Sequence, residues 1–378
     1  MHIGIIGGGI AGLTTAIALQ KLGIQAQVFD SAPKFEPVGA GLALAANAIH
    51  GFQRLGIQEE VIAEGNCLNG FHILEENGRL INRTDSRAIS AKYGLDNFVI
   101  HRADLHKVLL RQLPAHSLHP NKRAVGTKPA AKGITVQFQD GEEQTFDHLL
   151  VSDGIHSAIR QQLLPQSTPR YAGYTCWRAI IDNPGLQSEY ASETWGKAGR
   201  VGWSPIKGNK IYWFTCINAP QNSPQMKAMR VEDLERHFQH YHSPIPELFR
   251  HTKPEQLLWH DLYDLAPLSR FAFPNLLLLG DAGHATTPNM GQGACQAVED
   301  AVVFMDELRK DFDFNQAAQR FEKRRMPRTH WITRQSRLLG NVAQSENNLY
   351  IQLRNFALRR LPTWVNDRQL EKVYSVDF

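Results

Sequence analysis

Only four cysteines occur among 378 residues, Cys67, Cys176, Cys216 and Cys295, and none stands in a paired spacing. That excludes a disulfide-stapled scaffold and reads as reduced, buried thiols in a reducing compartment. No run of about 18 apolar residues is present, so no transmembrane helix is expected. Neither sign of charge dominates: 41 Lys and Arg stand against 37 Asp and Glu, a formal net charge of +4 that leaves no nucleic-acid footprint. No Ser/His/Asp or Cys/His arrangement appears in a recognisable context, which sets aside that nucleophile chemistry. The apolar start lacks a basic leading segment and carries three consecutive glycines that a targeting helix would disfavour, so a cytoplasmic protein is the expectation.

What is present begins at the first residues. His2 to Ile6 form a short β-branched run, followed by Gly7-Gly8-Gly9-Ile10-Ala11-Gly12 and a helical stretch from Leu13 to Leu22. Strand, glycine turn and helix in that order make a phosphate cradle. Gly7 allows the turn, Gly9 lets backbone approach a pyrophosphate, and Gly12 lets helix and strand pack closely. Free N–H groups at the helix start face the anion. Gly23 stops the helix, and Gln25 to Phe29 reads as a second strand ending at Asp30, where an acid suits a ribose hydroxyl pair.

Two later segments also deliver an acid from the end of an apolar strand. Leu149 to Val151 leads to Asp153-Gly154, followed by Ser157 as a cap for a helix carrying Arg160. Asn275 to Leu279 leads to Gly280-Asp281, and beyond it Pro288-Asn-Met-Gly291-Gln292-Gly293 is a glycine loop that opens a helix. Ligands of such sheets sit beyond the carboxyl ends of the strands. A second helix start aimed there would stabilise negative charge, as on the pyrimidine edge of a reduced flavin. For Asp281 alone, a helix cap is the competing reading.

Together these stations resemble those of the class A flavoprotein monooxygenases, the p-hydroxybenzoate hydroxylase-like family, over nearly the whole chain. The urate hydroxylase, salicylate hydroxylase and zeaxanthin epoxidase-type branches are nearest in motif. The resemblance implies tightly held FAD, with its ADP half on Gly7, Gly9, Ile10, Ala11, Gly12 and Asp30, although the family's acid is more often glutamate. Arg102, in Ile100-His-Arg-Ala-Asp-Leu105, inherits the ribityl-pyrophosphate contact. Asp153 and Gly154 resemble the pair that handles FAD and NAD(P)H, and Asp281 the ribityl-binding acid. Gly291, Gln292 and Gly293 with Pro288 resemble the loop at the isoalloxazine, and Gly41, in Gly39-Ala-Gly-Leu42, lies in the mobile segment beside it.

By the same resemblance NADH or NADPH reduces FAD, O2 adds at flavin C4a, and the hydroperoxide passes one oxygen atom to a small aromatic or heteroaromatic substrate. Pro288, Arg200 and Tyr212 are the catalytic candidates. The last two fall where the urate-hydroxylating branch places its pocket arginine and tyrosine, with strand packing as their other reading. A flavin oxidase or dehydrogenase, or a non-catalytic flavin sensor, would use the same cradle.

Between the second and third stations, short aromatic and β-branched runs bounded by Gly and Pro read as antiparallel strands. Tyr171 to Ile181, Glu193 to Gly196, Arg200 to Pro205 and Lys210 to Cys216 are the runs concerned. The fold expected is therefore α/β with an α+β insert: a glutathione-reductase-like Rossmann FAD-binding domain, an antiparallel-sheet substrate domain and C-terminal helices. Residues 1–72, 98–168 and 272–325 are assigned to the first, 73–97 and 169–271 to the second, and 326–378 to the helices. His237, His240 and His242 sit at spacings that could share a helix face, but no cysteine or carboxylate completes a metal site. Residues 320–372 hold 12 Lys or Arg against 4 Asp or Glu. That surplus reads as a solvated helix face, with weak peripheral membrane contact as the alternative. A monomer or homodimer is expected.

Overall fold

The computed structural model describes residues 1–35, 39–94 and 98–378, and for 363–367 the backbone alone. Its first layer is a six-stranded sheet in the order Ala272–Phe273, Leu276–Leu278, His148–Val151, Ile3–Ile6, Gln27–Phe29 and Leu118–His119. The four inner strands run parallel and are almost wholly apolar because both faces are covered. Helices Ile10–Lys21 and Gly293–Leu308 pack against one another over this sheet, and their buried faces join one continuous core.

A second sheet has seven strands, ordered Leu258–Asp264, Arg170–Asp182, Lys210–Asn218, Gly199–Ile206, Tyr190–Gly196, Gly70–Glu75 and Leu80–Asp85. The antiparallel sheet expected from the aromatic runs is present, with one departure: Gly70–Glu75 pairs parallel to Tyr190–Gly196. That hairpin reaches the sheet from outside the run of consecutive strands, so its direction is not fixed by a tight turn. One face carries its own core of Trp177, Trp213, Phe238 and Phe249, covered by the short helices Val231–His237 and Ile245–Arg250. The other face turns toward the glycine loops of the first layer.

Two smaller sheets complete the strands. Ala124–Pro129, Ile134–Phe138 and Glu143–Phe146 form an antiparallel meander, and Gly41–Leu44, Phe98–His101 and Gly65–Cys67 form the other. Beyond Asp300 the chain is helical, as its spacing of apolar residues predicts: Phe314–Ala343, Asn348–Arg359 and Thr363–Tyr374 follow. The first of these runs unbroken through Pro327, across the 325/326 division drawn from sequence. Among the described residues no helix is long and apolar enough to cross a membrane.

Candidate active site

The cradle is built where the strand Ile3–Ile6 turns into the helix Ile10–Lys21. Gly7 has φ +102°, a conformation glycine adopts without strain. A Cβ on Gly12 would stand 1.9 Å from the Gly7 carbonyl oxygen, whereas one on Gly9 would meet nothing within 4 Å. Gly12 therefore permits close packing, and Gly9 keeps a space clear in front of the helix start. Ile10 and Ala11 are buried in the first helical turn. Asp30 Oδ2 accepts from Gly8 N at 2.6 Å and Oδ1 from Ala32 N at 2.8 Å, which leaves further lone pairs for a hydroxyl.

The other stations arrive at the same place. Ser152 Oγ donates to the Gly7 carbonyl at 3.1 Å, bringing the Asp153-Gly154 turn against the cradle. Ser157 caps its helix as predicted, accepting from Arg160 N at 3.0 Å. Arg160 is fully buried and donates to the carbonyls of Ile155 at 2.7 Å and Ala282 at 3.4 Å, tying this turn to that of Asp281. A Cβ on Gly280 would lie 2.7 Å from Ala11 Cβ, so the Asp281 turn abuts the first helix directly. Asp153 has one buried oxygen without a partner in the protein, and burial raises its carboxyl to about 6.

Asp281 begins the short helix Asp281–His284 and makes no capping bond, so the capping alternative fails. It lines a cleft of about 420 Å³ with Ile155, His156, His260 and Thr286. The carboxylate surface is open, yet protein crowds it at longer range and raises its affinity for a proton, while His284 and Arg102 oppose that shift. We read it as part of a concave wall rather than of a core. The same electrostatics bring Arg102 to this wall. Its backbone N donates to Ala40 O at 3.0 Å, which joins it to the Gly39–Gly41 segment.

Pro288 opens the next loop, and its carbonyl accepts from Gly291 N at 2.9 Å. Gly291 is left-handed at φ +63° and the helix Gly293–Leu308 starts directly after it. Gln292 points inward instead of toward a ligand: it is buried, and its Oε1 accepts from Asn47 Nδ2 at 3.0 Å. Only its backbone can serve the loop's front.

On the second sheet, Tyr174, Cys176, Arg178 and Ile180 share one face of a strand. At one end of this row, Tyr174 is hydrogen-bonded to Asn289 of the Pro288 loop at 2.9 Å. At the other, Ile180 pairs in register with Tyr212, whose ring packs so closely on Gly41 that a Cβ there would stand 2.4 Å from it. Arg200 is 3% exposed and saturated, donating to Gln344 Oε1 at 2.6 Å, Glu193 Oε1 at 3.1 Å and Asn289 Oδ1 at 2.9 Å. Thus Tyr212 reaches the Gly39–Gly41 segment, while Arg200, on the same sheet face, holds the Pro288 loop through Asn289. Burial pushes the Tyr212 phenol well up, although Arg178 pulls it down, so it is protonated at neutral pH.

Two features escaped the sequence reading. Arg178 was visible only as one residue of an aromatic run; its alternation with Tyr174, Cys176 and Ile180 is the signal that places it inward. Behind the Asp281 turn lies a buried ionic network. Asp300 Oδ2 accepts from Gly280 N at 2.8 Å and faces His284 Nε2 at 2.6 Å. Asp300 Oδ1 accepts from Arg325 Nε at 2.7 Å, and Glu299 is gripped by Arg325 and by Arg328, whose Nε lies at 2.6 Å. His284 is therefore a structural histidine, in keeping with the sequence reading. The helix Val231–His237 ends before His240 and His242, so the three do not share a helical face. His237 meets Ala198 O and His242 meets Thr194 Oγ1, each at 2.8 Å.

Comparison with known proteins agrees with this geometry. Residues 1–320 match the FAD binding domain family. The aurachin C monooxygenase/isomerase of Stigmatella aurantiaca is 36% identical over 358 residues, covering 94% of this chain and 93% of that protein. The 3-amino-4-hydroxybenzoate 2-monooxygenase of Streptomyces cremeus is 30% identical over 90% of this chain and 87% of its own. The crystal structure of Klebsiella pneumoniae HpxO complexed with FAD and uric acid superposes with a TM-score of 0.92 at 26% identity, covering 99% of this chain and 96% of that one. The chain belongs to the FAD binding domain family and is an FAD-dependent monooxygenase of the class A flavoprotein type.

Proposed function

We propose that this enzyme takes two electrons from NADH or NADPH and inserts one atom of O2 into a small, planar aromatic or heteroaromatic molecule, the other atom leaving as water. The observation that carries the reading is the row from Tyr174 to Ile180, spanned between the Pro288 loop and the Gly41 segment. The same sheet face carries the apolar bodies of Tyr212, Phe214 and Leu262, a surface that suits a flat ring. Relatives named for 3-amino-4-hydroxybenzoate and solved with uric acid support that substrate class.

The residues present fit FAD. The clear space before Gly9 and the N–H groups of the following helix suit a pyrophosphate, Asp30 a ribose, Arg102 and Asp281 the ribityl chain, and Asp153 with Gly154 the neighbouring wall. FAD supplies the electron exchange with NAD(P)H and the reaction with O2. The chain itself orients and dries the site. Pro288 and the Gly291–Gly293 backbone hold the rim, Gly41 and Tyr212 close it from the other side, and Arg200 fixes Asn289 so that the rim stays in place. Because Tyr212 keeps its proton, its role is to donate a hydrogen bond to substrate, not to act as a base.

Turnover under ¹⁸O2 tests the assignment. One labelled oxygen in the product, with substrate-stimulated NAD(P)H oxidation, is expected. An unlabelled product with stoichiometric peroxide would mean an oxidase, and FAD binding without stimulation a sensor.

The setting is also a proposal. Four cysteines with no disulfide among the described residues support a reducing, cytoplasmic compartment. Leu349, Leu353 and Phe356 form an exposed row on the helix Asn348–Arg359, with Arg360 stacked over Phe356, which supports weak contact with an anionic membrane surface. The enzyme works as a monomer or homodimer.

A further inference from the structure

Arg178 stands within the row from Tyr174 to Ile180, two residues from Cys176 and two from Ile180 on the same strand face. Phe214 is its register partner on one side and Leu258 on the other. Its Nε donates to Cys176 Sγ at 3.3 Å. That single bond fixes the plane of the guanidinium. Among the described residues, Nη1 and Nη2 have no hydrogen-bond partner and no carboxylate lies within ion-pair reach.

The Cys176 sulfur is also the foremost electrostatic partner of Arg178, which leaves the two terminal nitrogens as the part of the group that no protein acceptor fills. Arg200 on the neighbouring strand shows how this fold treats an arginine whose job is structural: three acceptors saturate it. Arg160 is likewise filled by carbonyl and hydroxyl oxygens. Arg178 differs in carrying two terminal nitrogens, in fixed fork geometry, that no protein acceptor fills, on a half-buried side chain. Such a fork matches a pair of coplanar oxygens, or an oxygen beside a ring nitrogen, on a flat anion. Around it, Tyr212 is held protonated and adds a donor, and His260, opposite Cys176, is driven toward its neutral form by burial and by Arg178 itself. Glu193 lies on the same face, in the cross-strand row of Gly202, Phe214 and Arg178, but its Oε1 is taken by Arg200 Nη1 at 3.1 Å and Trp195 Nε1 at 2.8 Å.

We propose that Arg178 is the substrate anchor: its terminal guanidinium nitrogens bind the ionised carboxylate or ring enolate of a planar aromatic acid and so set which edge of the ring faces the flavin. The inference rests on the reading of this face as the substrate chamber. It assigns substrate selection to Arg178 and returns Arg200 to bracing the Pro288 loop.

The test uses the FAD-loaded enzyme and two probes of nearly equal shape, salicylate and its uncharged amide, with binding read from the change in flavin absorbance. The native enzyme should bind salicylate at least about tenfold more tightly than salicylamide, the factor a charge-assisted pair commonly gives. Arg178→Met should abolish that preference, weakening salicylate about tenfold or more while leaving salicylamide within about twofold, and Arg178→Lys should restore part of it. Flavin content and the thermal midpoint supply a second measurement. Replacing a cation whose terminal nitrogens have no protein acceptor with an apolar chain of similar length should keep or raise the midpoint, whereas loss of a structural arginine lowers it. Equal salicylate affinity in native and R178M enzyme overturns the anchor, as does a native enzyme that responds to neither probe, or a lowered midpoint with the preference intact. If ¹⁸O transfer to some substrate persists alongside any of these, the anchor alone has failed. A native protein that retains no FAD removes the monooxygenase reading first.

Discussion

Arg325 Nε donates to Asp300 Oδ1 at 2.7 Å where both side chains are buried, and the opposite oxygen of the same carboxylate holds the backbone of Gly280. The turn that carries Asp281 is thus positioned by an ion pair that Asp281 does not touch. Burial alone would raise the Glu299 and Asp300 carboxyls; His284, Arg325 and Arg328 reverse the direction and keep both ionised. Arg325→Met would remove the cation shared by two buried carboxylates, leaving Glu299 to Arg328 and Asp300 to His284 and the Gly280 N–H. It should destabilise the protein by about 3 to 5 kcal/mol, read as a lower urea midpoint with unchanged slope. A midpoint equal to the native one would show the network to be energetically neutral.

Gly9 and Gly12 should respond oppositely to the same added methyl group. In Gly12→Ala the new Cβ would collide with backbone, since Gly7 O stands 1.9 Å away, and the helix cannot retreat without opening the core beneath it. That variant should lose stability whether or not flavin is present. Gly9→Ala meets empty space in the protein, so the apoprotein should melt like native while FAD affinity falls. Equal FAD affinity in native and G9A protein would remove the cofactor from that space.

These contrasts show what was legible in the residues. The cradle could be read because its glycines, strand and helix are contiguous, and because Asp153 and Asp281 each follow an unmistakable buried strand. The parallel pairing of Gly70–Glu75 with Tyr190–Gly196 could not, since register between strands more than a hundred residues apart leaves no local pattern. Nor could the roles of Arg178 and Arg200. Both are arginines in apolar runs, and only the three-dimensional count of acceptors separates the saturated one from the one with open nitrogens.

Asp281→Ala removes an acceptor from the cleft wall facing Arg102. If the ribityl hydroxyls bond there, FAD dissociation should strengthen by about 1 to 3 kcal/mol in favour of the free state, roughly five- to 150-fold in Kd. Fluorescence titration of the apoprotein with FAD measures it. Undiminished flavin affinity would place the ribityl chain elsewhere.

Asp153 should leave a mark on stability against pH. Burial raises its carboxyl from 3.8 to about 6, so the folded protein keeps a proton that the unfolded chain has already released. The stabilisation is complete below pH 3.8 and is lost as the pH climbs through 6. Asp153→Asn cannot titrate, and the native apoprotein should therefore lose stability relative to D153N across that window and run parallel to it above. Parallel curves throughout would mean that Asp153 is solvated like an ordinary aspartate.

Tyr212 tests the chamber wall without disturbing the cradle. Its ring packs against Gly41 and stands near Phe214 with centroids 6.1 Å apart, contacts that phenylalanine preserves. Its hydroxyl has no protein partner among the described residues, so removing it strands nothing inside the fold. Tyr212→Phe should hold FAD as tightly as native and keep the thermal midpoint. If the substrate bonds to that hydroxyl, as proposed, the variant loses about 1 kcal/mol, or roughly fivefold. If that bond is made equally in the ground and transition states, KM rises and kcat is unchanged; if it tightens during oxygen transfer, kcat falls with kcat/KM. Native kinetics in both parameters would make Tyr212 a packing residue and leave the orientation of the ring to the strand beside it.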